Sequence, residues 1–576
     1  MVSDAVAYRY EFTTLSGKRI RPKYYKKSIT LLPSRETKDM SFHEAFEYVK
    51  SVGIPVSLLA WKFSGVKFVK DIPKDARVSF IWLDDVNGVP TTLHVYDDEY
   101  GFRSYGDFVE GWNSLGEVVV GLHLFRHQFA KLAQIDDLRH EFNEYHLGSS
   151  TFYGPRHKLG IDLTFFIRLV SGKRPQRFVA EYGIYSDDRV SLARQLYEFM
   201  DIPTLFHVLA ELLPVDRNFM QLAYLDNLKI YMLHAAYLRN GFLVTAPPDV
   251  EPVSDSPKEE YVNVPGFYRN MVEYDVSSAY PTTALVVGAD PFGVDGFTKL
   301  MSLLLTYKQT LPDGFARDLV KKLSVALVGI LKYHNDRFRN VFYNEKVWLS
   351  IINGFYDRFH SVVEEVKPVW SRVDAVIVPG GSDPPYMGLL YKFGVKHYYE
   401  WVAVYDNDHL LGSDPSQREL VKKGFDFSTP WGNAPTLPIV FSRAQQLLEA
   451  IIRKDPEDVL YRQDPFAVLR SVLDDSLSDR PDEYVIAFLK SEKEVPNTPA
   501  KQDVFSFLSV GYNRGVVCKD GFNEPETVSA HDVNYRFYVR GIAQSLIQYF
   551  PPERWDPVDL VGFVDSYVKE NGGEDD

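Results

Sequence analysis

The segment from Thr245 to Pro265, TAPPDVEPVSDSPKEEYVNVP, constrains what this chain can fold into more than any other. Its five prolines and several acids forbid regular helix and favour an extended linker. It divides the 576 residues into an N-terminal part of about 245 and a C-terminal part of about 310. Each part is long enough to bury a sizeable core, and an aromatic content of 14% argues against wholesale disorder. A lone cysteine, Cys518, excludes an internal disulfide framework and any multi-cysteine zinc site. The net charge of −14 excludes a uniformly basic coat for nucleic acid but leaves room for a basic cleft in an acidic body. The opening MVSDAVAYRYEF lacks the apolar stretch of a signal peptide, and no apolar run reaches transmembrane length, so a soluble intracellular protein is expected.

In the N-terminal part, RVSFIWLDDV and GEVVVGLHLF read as strands, and Asp188 to Asn240 as helices with apolar residues recurring at three and four. After the linker, NMVEYDVS reads as a strand ending at a polar turn. Phe297 to Tyr333 is a helical pattern broken at Pro312-Asp313-Gly314, which predicts a helical hairpin. KPVWSRVDAVIVPGG predicts two short strands around a tight turn, and the chain reads as mostly helical from Trp431 on, with a frayed acidic tail, ENGGEDD.

Chemistry concentrates at Asp275-Val276-Ser277-Ser278-Ala279-Tyr280-Pro281. An aspartate ending an apolar strand can face an open cleft or serve as a plain turn residue. Ser277 or Ser278 can cap the next helix, and Pro281 suits a first turn. The run resembles motif A of family-B DNA polymerases, D-x-x-S-L-Y-P, and Val264-Pro265-Gly266-Phe267-Tyr268 resembles that family's lead-in to the palm. The resemblance implies metal binding by Asp275 and the Val276 carbonyl, and nucleotide contact by Ser277, Ser278, Ala279 and Tyr280, the tyrosine excluding a 2′-hydroxyl. Ala279 stands where the family has leucine, which would loosen the nascent-pair pocket unless a neighbour fills the gap.

Arg317 and Lys321, four apart, share a helix face, either as a solvated basic face or as a pair able to neutralise a triphosphate. The stretch to Tyr333 resembles motif B, K-x-x-x-N-S-x-Y-G, with Lys321 at the lysine and Gly329 at the glycine. Val325, Ala326 and Val328 replace its asparagine, serine and tyrosine, and Tyr307 replaces a fingers arginine, for which Lys308 can substitute. In Ser371-Arg372-Val373-Asp374-Ala375 an aspartate precedes an apolar strand, which resembles motif C, D-T-D-S. Arg372 replaces the first aspartate, while Asp374 aligns with the second, which ligates metal alongside the motif A aspartate. Lys396-His397-Tyr398 resembles the K-x-Y motif and Lys422-Lys423-Gly424 the following K-G segment, which implies primer-template contacts by Lys396, Tyr398, Lys422 and Lys423.

Upstream, Val120 to Leu132 resembles the second exonuclease motif with His123 and Gln128 at its asparagine and aspartate, and Tyr185 to Val190 resembles the third, with Arg189 at the aspartate. Asp84-Asp85 is the nearest acidic pair to a first motif, at poor spacing. Two-metal exonuclease chemistry needs about four carboxylates, so no proofreading is expected. Gly17 to Lys27 and Ser171 to Arg177 are basic stretches suited to single-stranded template or to plain solvation.

The whole resembles the short divergent second branch of archaeal family-B polymerases, with an archaeal viral polymerase as neighbour. It implies an α+β multidomain right hand: an N-terminal region (1–75), a degenerate ribonuclease-H-like exonuclease-type domain (76–245), palm (246–295 and 336–430), fingers (296–335) and thumb (431–576). The implied activity is slow, damage-tolerant, non-proofreading synthesis from dNTPs on primer-template DNA, with Mg²⁺ or Mn²⁺ as cofactor. A sliding clamp or other replication and repair proteins are the implied partners, with no membrane and a cytoplasmic, nucleoid-associated location. A catalytically silent DNA-binding or replisome scaffold is the alternative, favoured by Arg372 and opposed by Asp275, Tyr280 and Asp374.

Overall fold

Asn87-Gly88 has the chemistry of a two-residue hairpin turn, in which both central residues need positive φ. The computed structural model turns the chain there, with φ of 55° and 84°, between strands β1 (Val78–Val86) and β2 (Val89–Asp97). It describes residues 72–571 except 74, 148–149, 185, 187, 214–220, 222–224, 241, 245–256, 258, 260, 333–339, 428, 432–436, 490–511, 520 and 524–526; before residue 72 it describes three short strands, Phe12–Thr13, Arg19–Ile20 and Thr30–Leu31. Most of the proline-rich segment, the basic run Gly17 to Lys27 apart from Arg19–Ile20, Tyr185 and Asp187, Tyr333 and the tail beyond Asn571 therefore lie outside the described residues.

The chain divides into two compact units, Met1–Lys258 with Ser278–Asp357, and Glu259–Ser277 with Arg358–Asp576. The first cut falls inside the proline-rich segment. Residues 278–357, which the sequence groups with the C-terminal part, instead pack into the first unit.

In the first unit, β3 (Gly101–Tyr105), β4 (Val118–Gly121) and β5 (Leu159–Asp162) complete a five-stranded sheet of order β5-β4-β1-β2-β3. The β1-β2-β3 meander is antiparallel, whereas β4 runs parallel to both β1 and β5. The all-buried Val118-Val119-Val120 run suits a strand with parallel neighbours on both sides. The expected strand through Phe125 stops at Gly121, because His123 takes a left-handed conformation and starts the π-helical turn Leu124–Gln128. Phe125, Phe129, Trp112 and Phe142 pack there with Ile81 and Val95.

Helices follow: α1 (Phe108–Asn113), α2 (Leu163–Ser171), α3 (Pro175–Glu181), α4 (Arg189–Phe199), α5 (Ile202–Leu212) and α6 (Leu225–Arg239). Asp107, Asp162 and Asp188 cap α1, α2 and α4 through their side chains. The basic stretch Ser171 to Arg177 is a loop only to Arg174, since Pro175 opens α3 and Lys173 pairs with Glu181. The returning segment supplies α7 (Ala279–Val286), α8 (Gly296–Thr310), α9 (Phe315–Ile330) and the start of α10 (Glu345–Val366). The α8-α9 hairpin breaks where Pro312-Asp313-Gly314 predicts it, and buries Leu300, Leu304, Leu319 and Leu323. Phe315 at its tip joins Phe178, Tyr182 and Phe199 in an aromatic cluster, ring centroids 5.5–5.9 Å from each.

The second unit holds an antiparallel six-stranded sheet, order β7-β8-β6-β9-β10-β11. Its strands are β6 (Gly266–Val276), β7 (Trp370–Arg372), β8 (Ala375–Pro379), β9 (Phe393–Val404), β10 (Leu410–Ser413) and β11 (Val421–Lys423). Among the described residues the helices α11 (Ile439–Lys454), α12 (Pro456–Tyr461), α13 (Pro465–Ser476), α14 (Tyr535–Leu546) and α15 (Pro557–Glu570) follow. The helical reading of this region omits a three-stranded sheet, β12 (Ile486–Leu489), β13 (Tyr512–Cys518) and β14 (Gly521–Asn523). Ile486, Val516 and Cys518 bury one side of it in the same core as Trp401 and Leu411.

His234 on α6 is buried against Phe342, and neither ring nitrogen has a hydrogen-bond partner among the described residues. Burial holds its pKa down at about 3. The unfolded chain protonates it near the ordinary value of 6.5, so this histidine costs stability as pH falls through that window. Relative to the parent, His234→Phe should therefore gain about 2 kcal/mol in urea denaturation between pH 7 and pH 5. A gap that does not change with pH would mean His234 titrates alike in the folded and unfolded chain.

Candidate active site

The register of β6 creates the site. Asp275 sits opposite Ala375 of β8 and Gly394 of β9. The Val276 N–H donates to the Asp374 carbonyl at 2.8 Å, which fixes the turn between β7 and β8 beside the end of β6. Val373 in that turn has φ of 55°, a region β-branched residues rarely enter, and such strain costs on the order of 1–3 kcal/mol. The turn thus brings the two sequence-predicted carboxylates, Asp275 and Asp374, to one edge of one sheet. Arg372 turns away from them: its guanidinium holds Asp408, 2.7 Å from the carboxylate and 3.4 Å from the carbonyl.

Beneath Asp275 lies a residue that motif reasoning missed. Glu273, two positions earlier on β6, is fully buried, yet its carboxylate is fully engaged. The Tyr399 hydroxyl donates to Oε2 at 2.7 Å, and the Lys423 ammonium pairs with Oε1. Burial pulls the Lys423 pKa down, against the Glu273 charge that supports it. A glutamate interrupting the apolar run Met271-Val272-Glu273-Tyr274 was the available signal, because a buried carboxylate needs a cation.

Lys396 completes the cluster. Glu273 pairs with His397 and Tyr274 with Val395, so Lys396 is the extra residue of a β-bulge in β9. Bulges re-aim side chains. Here the ammonium lies 2.9 Å from Asp275 Oδ2 and 3.9 Å from Glu273 Oε1. Burial works to lower its pKa, but the hydrogen bond and charge of Asp275, then Glu273 and Asp374, raise it above the ordinary value. Its neighbours diverge: His397 pairs with Asp414 at 3.1 Å, while Tyr398 is 62% exposed. Lys422 holds Glu449 at 2.7 Å. The lysines implied as DNA contacts, Lys396, Lys422 and Lys423, thus each hold a carboxylate of the second unit.

The remaining residues implied to contact nucleotide lie in the first unit. Ser278 occupies the N-cap of α7 with φ of 56° but makes no side-chain cap; its Oγ accepts from Lys308 Nζ at 2.6 Å. Ala279 is buried, and the Tyr280 hydroxyl is 3.0 Å from that of Tyr356. Arg317 pairs with Asp313 and donates to the Lys308 carbonyl at 3.0 Å, so it ties the hairpin's two helices together. Lys321 is exposed and has no ion-pair partner among the described residues.

Around the positions that resemble exonuclease motifs in sequence, acids meet cations. Arg189 lies 3.0 Å from Asp84, which also meets His94 at 2.9 Å, and Lys131 pairs with Asp85. Gln128 is buried and donates to the Leu122 carbonyl at 2.7 Å. Asp162, a buried acid at the end of β5, was not singled out; burial pushes its pKa up to about 6, and it accepts from the Thr164 N–H at 2.9 Å. A separate cavity of about 870 Å³ opens among Asp474, Tyr535, Arg536 and Tyr567, and contains none of the predicted residues.

Among the described residues no cluster of three or more metal-ligating side chains occurs. Asp275, Asp374 and the Val276 carbonyl are hard oxygen donors, and a cationic group already rests on Asp275. That donor set fits a magnesium ion whose shell phosphate oxygens complete.

No family model matches the chain, and no curated protein matches it. Among solved structures it is similar to the family B DNA polymerase from the hyperthermophilic archaeon Pyrobaculum calidifontis, at 14% identity and a TM-score of 0.47, over 83% of this chain and 78% of that one.

Removing one partner of a buried ion pair strands the other's charge. Lys423→Met should destabilise the protein by about 3 kcal/mol in chemical denaturation, and adding Glu273→Met should recover part of the loss. Additive losses in the double variant would show that the two side chains act independently.

Proposed function

We propose that this chain is a magnesium-dependent, template-directed DNA polymerase that extends primers with dNTPs and does not proofread. The observation that carries the reading is the placement of Asp275 and Asp374 at one sheet edge by the β6–β8 register, with Arg372 turned onto Asp408. In this reading the six-stranded sheet is a palm, the α8-α9 hairpin the fingers, and the helices from α11 on the thumb. The mixed sheet of the first unit is a degenerate ribonuclease-H-like exonuclease-type domain. Asp275, Asp374 and the Val276 carbonyl would hold the metal, which would supply charge neutralisation for phosphoryl transfer. Lys321, exposed on α9, offers charge to the triphosphate, and Tyr280 gates the sugar. The pairing of Asp84 with Arg189, which also lies over Trp82 while His94 closes on the same carboxylate, supports the absence of proofreading. Ala279 in place of leucine, and the altered residues of α9, support slow, damage-tolerant synthesis in repair or replication. A clamp or other replication proteins would be partners in a cytoplasmic, nucleoid-associated setting; among the described residues no helix is long and apolar enough to cross a membrane.

One observation favours the second reading, a silent DNA-binding scaffold: Asp275 already holds the Lys396 ammonium. Primer extension with Mg²⁺ or Mn²⁺ separates the two. Asp275→Ala and Asp374→Ala should each lower extension by about a thousandfold, the several kcal/mol that metal-assisted charge stabilisation supplies. A parent that binds primer-template but never extends it would establish the scaffold.

Two further outcomes are expected of the parent. A 3′-labelled primer should stay intact without dNTPs, and insertion opposite an abasic site should be blocked less than in a proofreading polymerase. Equal or stricter blockage would remove the damage-tolerant part of the reading.

A further inference from the structure

We propose that Lys396 is an internal counter-ion: its ammonium holds the Asp275 carboxylate in the metal-free protein and leaves when a divalent cation arrives. The inference rests on the reading of Asp275 as a metal ligand, and makes Lys396 a positioning residue for that ligand.

Three observations carry it. Lys396 is the unpaired bulge residue of β9, so no ladder position commits its side chain to one face. Its ammonium contacts Asp275 at 2.9 Å, and its side chain is 45% exposed, which leaves an open path to solvent. Its departure strands no buried charge, because both Glu273 oxygens keep other partners, Tyr399 and Lys423. Lys423 differs on each count: it sits in the β11 ladder, is 21% exposed and is the main counter-charge of a fully buried acid. Of the two ammonium groups, Lys396 is therefore the one that can exchange with a metal.

An ammonium on a carboxylate competes with any cation for the same oxygens. Removing it should raise metal affinity, and keeping a positive charge there should not. The experiment is Mn²⁺ binding to the full chain without DNA or nucleotide, read by the loss of the free-ion paramagnetic resonance signal. It uses the parent, Lys396→Met, Lys396→Arg, Asp275→Ala and the Asp275→Ala/Lys396→Met double variant. Lys396→Met should bind Mn²⁺ about tenfold more tightly than the parent, Lys396→Arg should stay near the parent, and the double variant should lose the gain. Thermal melting gives a second readout: Lys396→Met should melt below the parent in chelator and recover when Mn²⁺ is added.

Equal or weaker Mn²⁺ binding by Lys396→Met, with binding still dependent on Asp275, would overturn the counter-ion role and leave the metal site standing. No Asp275-dependent binding in either protein would overturn the metal site itself and the inference with it.

Discussion

The antiparallel pairing of β6 with β8 on one side and β9 on the other is the constraint on which the site depends. A strand presents alternate residues to opposite faces, so Glu273 and Asp275 share one face. The β8 partner delivers Asp374 through the strained turn at Val373, and the β9 partner delivers Lys396 through a bulge. A one-residue slip of β6 would expose Glu273 and turn Asp275 away from Asp374. The buried Glu273–Lys423 pair works against such a slip, because the carboxylate would lose its cation as it moved.

The same pairings set the charge of the site. Among the described residues, the Lys396 and Lys423 ammonium groups face the Glu273 and Asp275 carboxylates. Arg372 would add a third positive charge, but its guanidinium is bound to Asp408. The substitution that argues most strongly in sequence against a metal site is therefore electrostatically withdrawn from it.

Much of this was legible in the sequence, and what was not has a physical reason. Asp275 at a strand end, the tight turn before Asp374 and the hairpin broken at Pro312-Asp313-Gly314 follow from local patterns, which neighbouring residues determine. The Glu273–Lys423 pair spans 150 positions, a separation at which no local pattern operates. The bulge at Lys396 is a backbone event with no residue signature, since neither glycine nor proline marks it. The resemblance implies DNA contacts for Lys396, Lys422 and Lys423, and a lysine's sequence neighbours do not reveal its partner within the protein. Here the partners are acids on β6 and α11. The return of residues 278–357 to the first unit was also invisible, because an apolar helix face does not say which other face it meets.

Two acid–cation pairs involve positions that the sequence resemblance compares with metal-binding carboxylates, Asp275 in motif A and Arg189 in the third exonuclease motif, and their chemistry points in opposite directions. Arg189 on Asp84 is a guanidinium that stays charged, and it stacks on Trp82 at 5.0 Å while His94 closes on the same carboxylate. Asp84 is thus held from two sides, and a metal would have to displace both a stacked arginine and a histidine. Lys396 on Asp275 is a flexible ammonium on a bulge, with one strong partner and no aromatic surface beneath it among the described contacts. An acid–cation pair alone therefore does not mark a dead site. What separates the two is how many other contacts hold the cation in place, and by that measure the cation on Asp84 is held more firmly than the one on Asp275.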